Sequence, residues 1–147
     1  MATHGLPTWP WAGTPADDLP RTERLLLDGM RLWKQAARAC QPAMPVLRPP
    51  FVAEDAAAAI PALDALMRTA LPQVDLPCLL CPRVAPIEAM LLVGCALTQR
   101  GSRREALALF LHHLPPMAAY GAMAAAIPLG IALRRAGLLM SNPFQCR

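Results

Sequence analysis

Seventeen prolines in 147 residues set the tightest limit on what this chain can fold into. Each removes a backbone donor and clashes with the preceding turn of a helix, so long helices are confined to the few proline-free stretches. Between the prolines the chain is rich in alanine, the best helix former. Aromatic residues make up only 5%, too few for the aromatic and β-branched strands of a sandwich. With 55% hydrophobic and 16% charged residues, the composition is that of a chain with a core and not of a charged disordered one. The expected fold is all-α, with short antiparallel helices forming a small bundle or solenoid fragment joined by proline-rich connectors. The length fits one domain, placed at 21–140.

The formal charge of +4 comes from thirteen arginines and the single lysine Lys34, a skew that reads as compositional bias. Nucleic acid is therefore not an expected partner, since phosphate binding concentrates Lys and Arg on one face among aromatic or polar base readers. Five cysteines, an odd number without the dense spacing of a secreted scaffold, point to a reducing cytoplasm. Residues 1–20 lack the basic and apolar regions of a secretory signal and are expected to form an extended arm whose Trp9 and Trp11 pack on the domain. The uncharged stretch from Ala106 to Leu133 is long enough to span a bilayer. His112, His113, Pro115 and Pro116 interrupt it and alanine supplies most of its length, so a buried helix is expected and a membrane is not.

From Arg21 to Cys40 there is no proline, and Leu26, Met30, Trp33, Ala37 and Cys40 recur at helical spacing as an apolar stripe. Arg24, Arg31 and Arg38, seven apart and joined by Lys34, form the opposite face. That basic face is expected to be solvated, with contact to an acidic partner or a phosphate as the alternative. Pro42, Pro45, Pro49 and Pro50 make 41–50 an extended connector. Helices follow over 52–71, restarted at Pro61, with Leu63, Leu66, Met67, Ala70 and Leu71 facing the core. Residues 72–85 form a second connector, carrying Cys78 and Cys81.

The clearest local grammar runs from Pro86 to Pro116. Pro86 opens a helix with Glu88 near its positive end; Met90, Val93 and Leu97 face inward, and Gly101 supplies a left-handed stop. Ser102-Arg103-Arg104-Glu105 has the spacing of a capping box, and the helix it opens carries Ala106, Leu109, Phe110 and Leu114 before Pro115-Pro116. This is an αα-hairpin. The pattern of Met90, Val93-Gly94, Leu97, Ala106 and Phe110 resembles a tetratricopeptide repeat. A further trace lies 36 residues on, where Gly94, Ala96, Leu97 and Gly101 recur as Gly130, Ala132, Leu133 and Gly137, giving a repeat-like region over 86–137 and a tail at 141–147. The resemblance implies a groove formed by successive first helices that binds a peptide or protein. In this chain its lining is expected to be Glu88, Leu91, Leu92, Cys95 and Gln99.

Cys78-Leu79-Leu80-Cys81 is the compact chemical motif. Two thiols at this spacing serve as structural residues, as half of a zinc site or as a redox switch, and a structural zinc needs two further ligands. Adjacent His112 and His113 lie in a last helical turn, where an imidazolium meets the negative helix end. No Ser, His and acid grouping or phosphate loop stands out, so neither an enzyme nor a cofactor is expected. The sequence therefore describes a cytoplasmic adaptor or chaperone-like module that binds another protein or peptide, with a homo-oligomer allowed. The alternative is a thiol- or zinc-dependent regulator using Cys78 and Cys81, whose basic helix contacts an acidic partner or nucleic acid.

Overall fold

The computed structural model describes residues 11–70 and 79–142. Six α-helices follow in order: α1 Arg21–Arg38, α2 Ala43–Ala53, α3 Ile60–Ala70, α4 Pro86–Gln99, α5 Arg103–His113 and α6 Pro116–Arg135. They pack into one bundle, and the described residues contain no strand. The expected all-α class is what is found. Trp11 lies half-buried against the core, whereas Trp9, Leu71 and Cys78 lie outside the described residues.

The helix from α4 forms the centre. Every residue from Glu88 to Gln99 is buried, because α5 and α6 pack on it from one side and α1 from another. The most extensive contact elsewhere joins α3 to α6, and α1 packs on α2. At the hairpin, Gly101 at φ +84° lets the chain turn as only glycine does readily. Ser102 N then donates to Leu97 O at 2.9 Å. The same turn recurs after α6, where Gly137 has φ +79° and Leu138 N donates to Leu133 O at 2.8 Å. The 36-residue trace thus marks two helices that end alike.

The matching glycines upstream also share a role. A Cβ built on Gly94 would stand 2.5 Å from two ring atoms of Phe110, and one on Gly130 would stand 3.2 Å from Cα and Cβ of Gln99. Gly94 therefore lets α5 approach α4, and Gly130 lets α6 approach the same helix.

Three expectations about local structure are corrected. Residues 41–50 are not an extended connector, since α2 runs through Pro45, Pro49 and Pro50. Proline's fixed φ is helical, and Leu47 and Phe51, one turn apart and both fully buried, anchor the segment to the core. The apolar stripe of α1 does not reach Cys40, which is exposed and ends the helix at φ 54°, so that Gln41 N reaches Ala36 O at 2.8 Å. The capping box at Ser102 does not form either. Ser102 occupies the N-cap without a side-chain bond, while at α4 the Glu88 carboxylate accepts from Ala85 N at 2.9 Å.

Candidate functional site

The structure closes the expected groove. Glu88, Leu91 and Leu92 have no exposure, and Cys95 and Gln99 have 3% and 7%. Their burial has a physical reason at each end of α4. At the start, Glu88 meets Arg31 of α1, with Nε donating to Oε2 at 2.7 Å and one terminal amine to Oε1 at 2.8 Å. At the end, the Gln99 amide donates to Gly130 O at 3.2 Å and Leu138 O at 3.0 Å, and its oxygen accepts from Met140 N at 2.7 Å. Gln99, expected to line a groove for a partner, thus holds the chain's own C-terminal segment. Leu91, Leu92 and Cys95 belong to the core cluster between these ends.

The solvated basic face is likewise not present as one surface. Arg31 and Lys34 are buried, Arg24 is held by Asp17 and Asp28, and Arg38 is exposed. Arg31 has a full set of acceptors besides Glu88: Cys81 O at 2.7 Å, Leu79 O at 3.4 Å and Arg83 O at 3.0 Å. The Glu88 carboxylate raises the guanidinium's pKa, against the opposing effect of burial. The loop bearing Cys81 is thereby tied to α1, and it also pairs with the N-terminal segment through Gly13 N to Val84 O at 2.9 Å and Ala16 N to Pro82 O at 2.8 Å.

Of the thiols, Cys81 is half-buried and donates to Arg83 O at 3.4 Å. Among the described residues no group of three His, Cys, Asp or Glu side chains stands close enough to hold a metal. Cys95 is inside the core, where burial pushes its thiol up to about 12. The two imidazoles meet edge to face with centroids 4.8 Å apart. Burial and the neighbouring His112 lower the pKa of His113, so it is held toward the neutral form and not toward the charged helix-end role read from its position.

Two surfaces remain that the sequence reading did not single out. The first is the outer side of α6. Met117 is 84% exposed, Tyr120 56% and Ile131 47%, and Ala124 and Pro128 are exposed between them. The five fall on one stripe with no charged residue in it. Beside the stripe, against α3, lies a shallow groove of about 460 Å³ lined by Pro61, Ala62, Ala65, Gly121, Ala124 and Pro128. Helix α6 is also long and apolar enough to cross a membrane, and 44% of its most apolar window is buried against the rest of the fold. The second surface is a cleft bordered by arginines at the ends of α4 and α6. The sequence signal for it was the placing of Arg100, Arg103, Arg134 and Arg135 around the glycine stops Gly101 and Gly137.

No family model, curated protein or solved structure matches the chain.

Proposed function

We propose that the protein is a small protein–protein interaction module whose docking face is the outer side of α6, and that the occupant of this face is a second copy of the chain. The observation that carries the reading is the exposed, uncharged stripe of Met117, Tyr120, Ala124, Pro128 and Ile131. Contiguous apolar exposure of this kind on a soluble surface marks an interaction site. The spacing of the stripe, three, four, four and three residues, reads the same in both directions. A two-fold axis through Ala124 would therefore set Met117 against Ile131 and Tyr120 against Pro128 of the second copy, and the reverse, as a self-complementary interface requires. The stripe covers about 21 Å of helix at 1.5 Å per residue. The α3 groove beside it extends the apolar surface. No like charges face each other across it, because the helix carries none before Arg134.

The resemblance of 86–137 to a tetratricopeptide repeat supports a binding role over a catalytic one, with the surface transferred from the closed inner groove to the outer helix. The reading places the module in a reducing cytoplasm, where the free thiols of Cys40 and Cys81 stay reduced. The test is sedentation of the full chain over a dilution series, by analytical ultracentrifugation. Dimer is expected, with Ala124→Arg converting it to a folded monomer because the new charges would meet on the axis. A wild-type chain that stays monomeric, or a dimer indifferent to Ala124→Arg and Tyr120→Arg, overturns the reading.

A further inference from the structure

We propose that the cleft between the α4–α5 turn and the C-terminal end of α6 binds a small phosphate-bearing anion, with a diphosphate group as the part recognised. The cleft has a volume of about 430 Å³, and Arg100, Arg103, Arg134 and Arg135 line it without an Asp or Glu. Two of these arginines are fixed in place. Arg100 donates to Met140 O at 2.8 Å, and Arg134 donates to Gln99 O, so each keeps other N–H groups for a ligand. Among the described residues, Arg103 and Arg135 have no hydrogen-bond or ion-pair partner. A second cleft of about 410 Å³ continues past Arg100 and Arg134 to Leu139.

The contrast with the rest of the surface is what makes this placing informative. Three exposed arginines elsewhere meet acids, Arg21 with Glu54, Arg24 with Asp17 and Arg68 with Asp64. Around the cleft four guanidiniums converge, and among the described residues no carboxylate lines it. The C-terminal ends of α4 and α6 supply only about half a negative charge each, which leaves most of the positive charge unmatched. Guanidinium forks bind phosphate oxygens in pairs, and four of them exceed what one carboxylate can engage. Ile127 and Ile131 provide an apolar wall for the remainder of such a molecule. The volume lies in the range of small-ligand sites.

The test is calorimetric titration of the full chain with inorganic pyrophosphate, with ADP and with a short single-stranded oligonucleotide. Arg103→Ala and Arg135→Ala are the test variants, since neither side chain has a bonding partner among the described residues. Arg48→Ala, which removes the same charge from α2, is the control. Pyrophosphate is expected to bind, and either test variant to weaken it by about tenfold or more, the loss of a charge-assisted hydrogen bond, while the control leaves it unchanged. ADP binding as tightly as pyrophosphate assigns recognition to the diphosphate alone, and tighter binding adds the apolar wall; both support the site. Absence of pyrophosphate binding, equal weakening by Arg48→Ala, or an oligonucleotide that outcompetes both small ligands overturns it.

Discussion

Arg31 and Glu88, 57 positions apart in the chain, form a two-point ion pair with side-chain exposures of 2% and 0%. The pair joins the middle of α1 to the first turn of α4. Through its two terminal amines Arg31 also fixes the carbonyls of Leu79, Cys81 and Arg83, so one side chain ties residues 79–83 to α1. A buried pair is a weak contributor when compared with a well-packed apolar substitute, yet breaking it from one side leaves an uncompensated charge.

Arg31→Met is accordingly expected to destabilise the fold by about 3–5 kcal/mol, as is usual for one-sided loss of a buried pair, measured by urea denaturation. The double variant Arg31→Met, Glu88→Leu should lose much less than the two single changes added together. The raised pKa of Arg31 makes its contribution complete at every pH below the unfolded arginine value and lost only above it. Additive single changes would show that the two groups act separately.

Gly94 and Phe110 supply the second prediction. The ring is fully buried and stands where a Cβ on residue 94 would go. Gly94→Leu should cost about 1–3 kcal/mol by overpacking, outweighing the gain of about 1 kcal/mol in helix propensity. Gly94→Ala combined with Phe110→Leu should be less destabilised than the sum of its parts, since the smaller side chain yields the space. A stabilised Gly94→Leu variant would show that α4 and α5 pack in another register.

Gln99 gives a third. Gln99→Leu keeps the volume but leaves Met140 N and Leu138 O without the amide that bonds them, and both of those residues are buried. An unsatisfied buried group costs about 1–3 kcal/mol. Hydrogen exchange at the Met140 amide should accelerate strongly while the amides of α4 stay protected. Unchanged exchange at Met140 would mean that the C-terminal segment is held by other contacts.

The hairpin was legible because its signals are local. Pro86, Gly101 and Pro116 each act on their own backbone, and α4, α5 and α6 begin or end beside them. Residues 43–50, expected as part of an extended connector, are helical for the opposite reason. The rule against proline inside a helix weighs the four prolines alone, and the burial of Leu47 and Phe51 that outweighs them is a tertiary fact. The heptad of Arg24, Arg31 and Arg38 looked like one solvated face because nothing in the periodicity of α1 announces an acid 57 residues away. Leu91, Leu92 and Cys95 on α4 are apolar for the core and not for a partner, a distinction that the 3.6-residue period does not make. The arginine cleft was hidden in the same way: its members flank two glycines in the sequence, and only the approach of α6 to α4 at Gly130 gathers them.

The last prediction concerns pH. Cys95 is 3% exposed, and burial raises its thiol from 9.0 to about 12. A group whose folded pKa lies above its unfolded value stabilises the fold fully below the unfolded value and loses that contribution as pH rises through the folded one. Between pH 9 and 12 the unfolded thiol ionises while the folded one stays protonated, so stability should fall by up to about 1.4 kcal/mol per pH unit from this group. Cys95→Ala lowers stability at neutral pH by removing a packed atom, but its decline between pH 8.5 and 10.5 should be shallower than that of the wild type. In the same native protein a thiol reagent should modify Cys40 and Cys81, the exposed and half-buried thiols, and leave Cys95 untouched until denaturant is added, as site-resolved mass spectrometry would show. Equal alkaline slopes for the two proteins, or rapid native labelling of Cys95, would mean that this part of α4 opens to water and that its thiol is not sealed in the core.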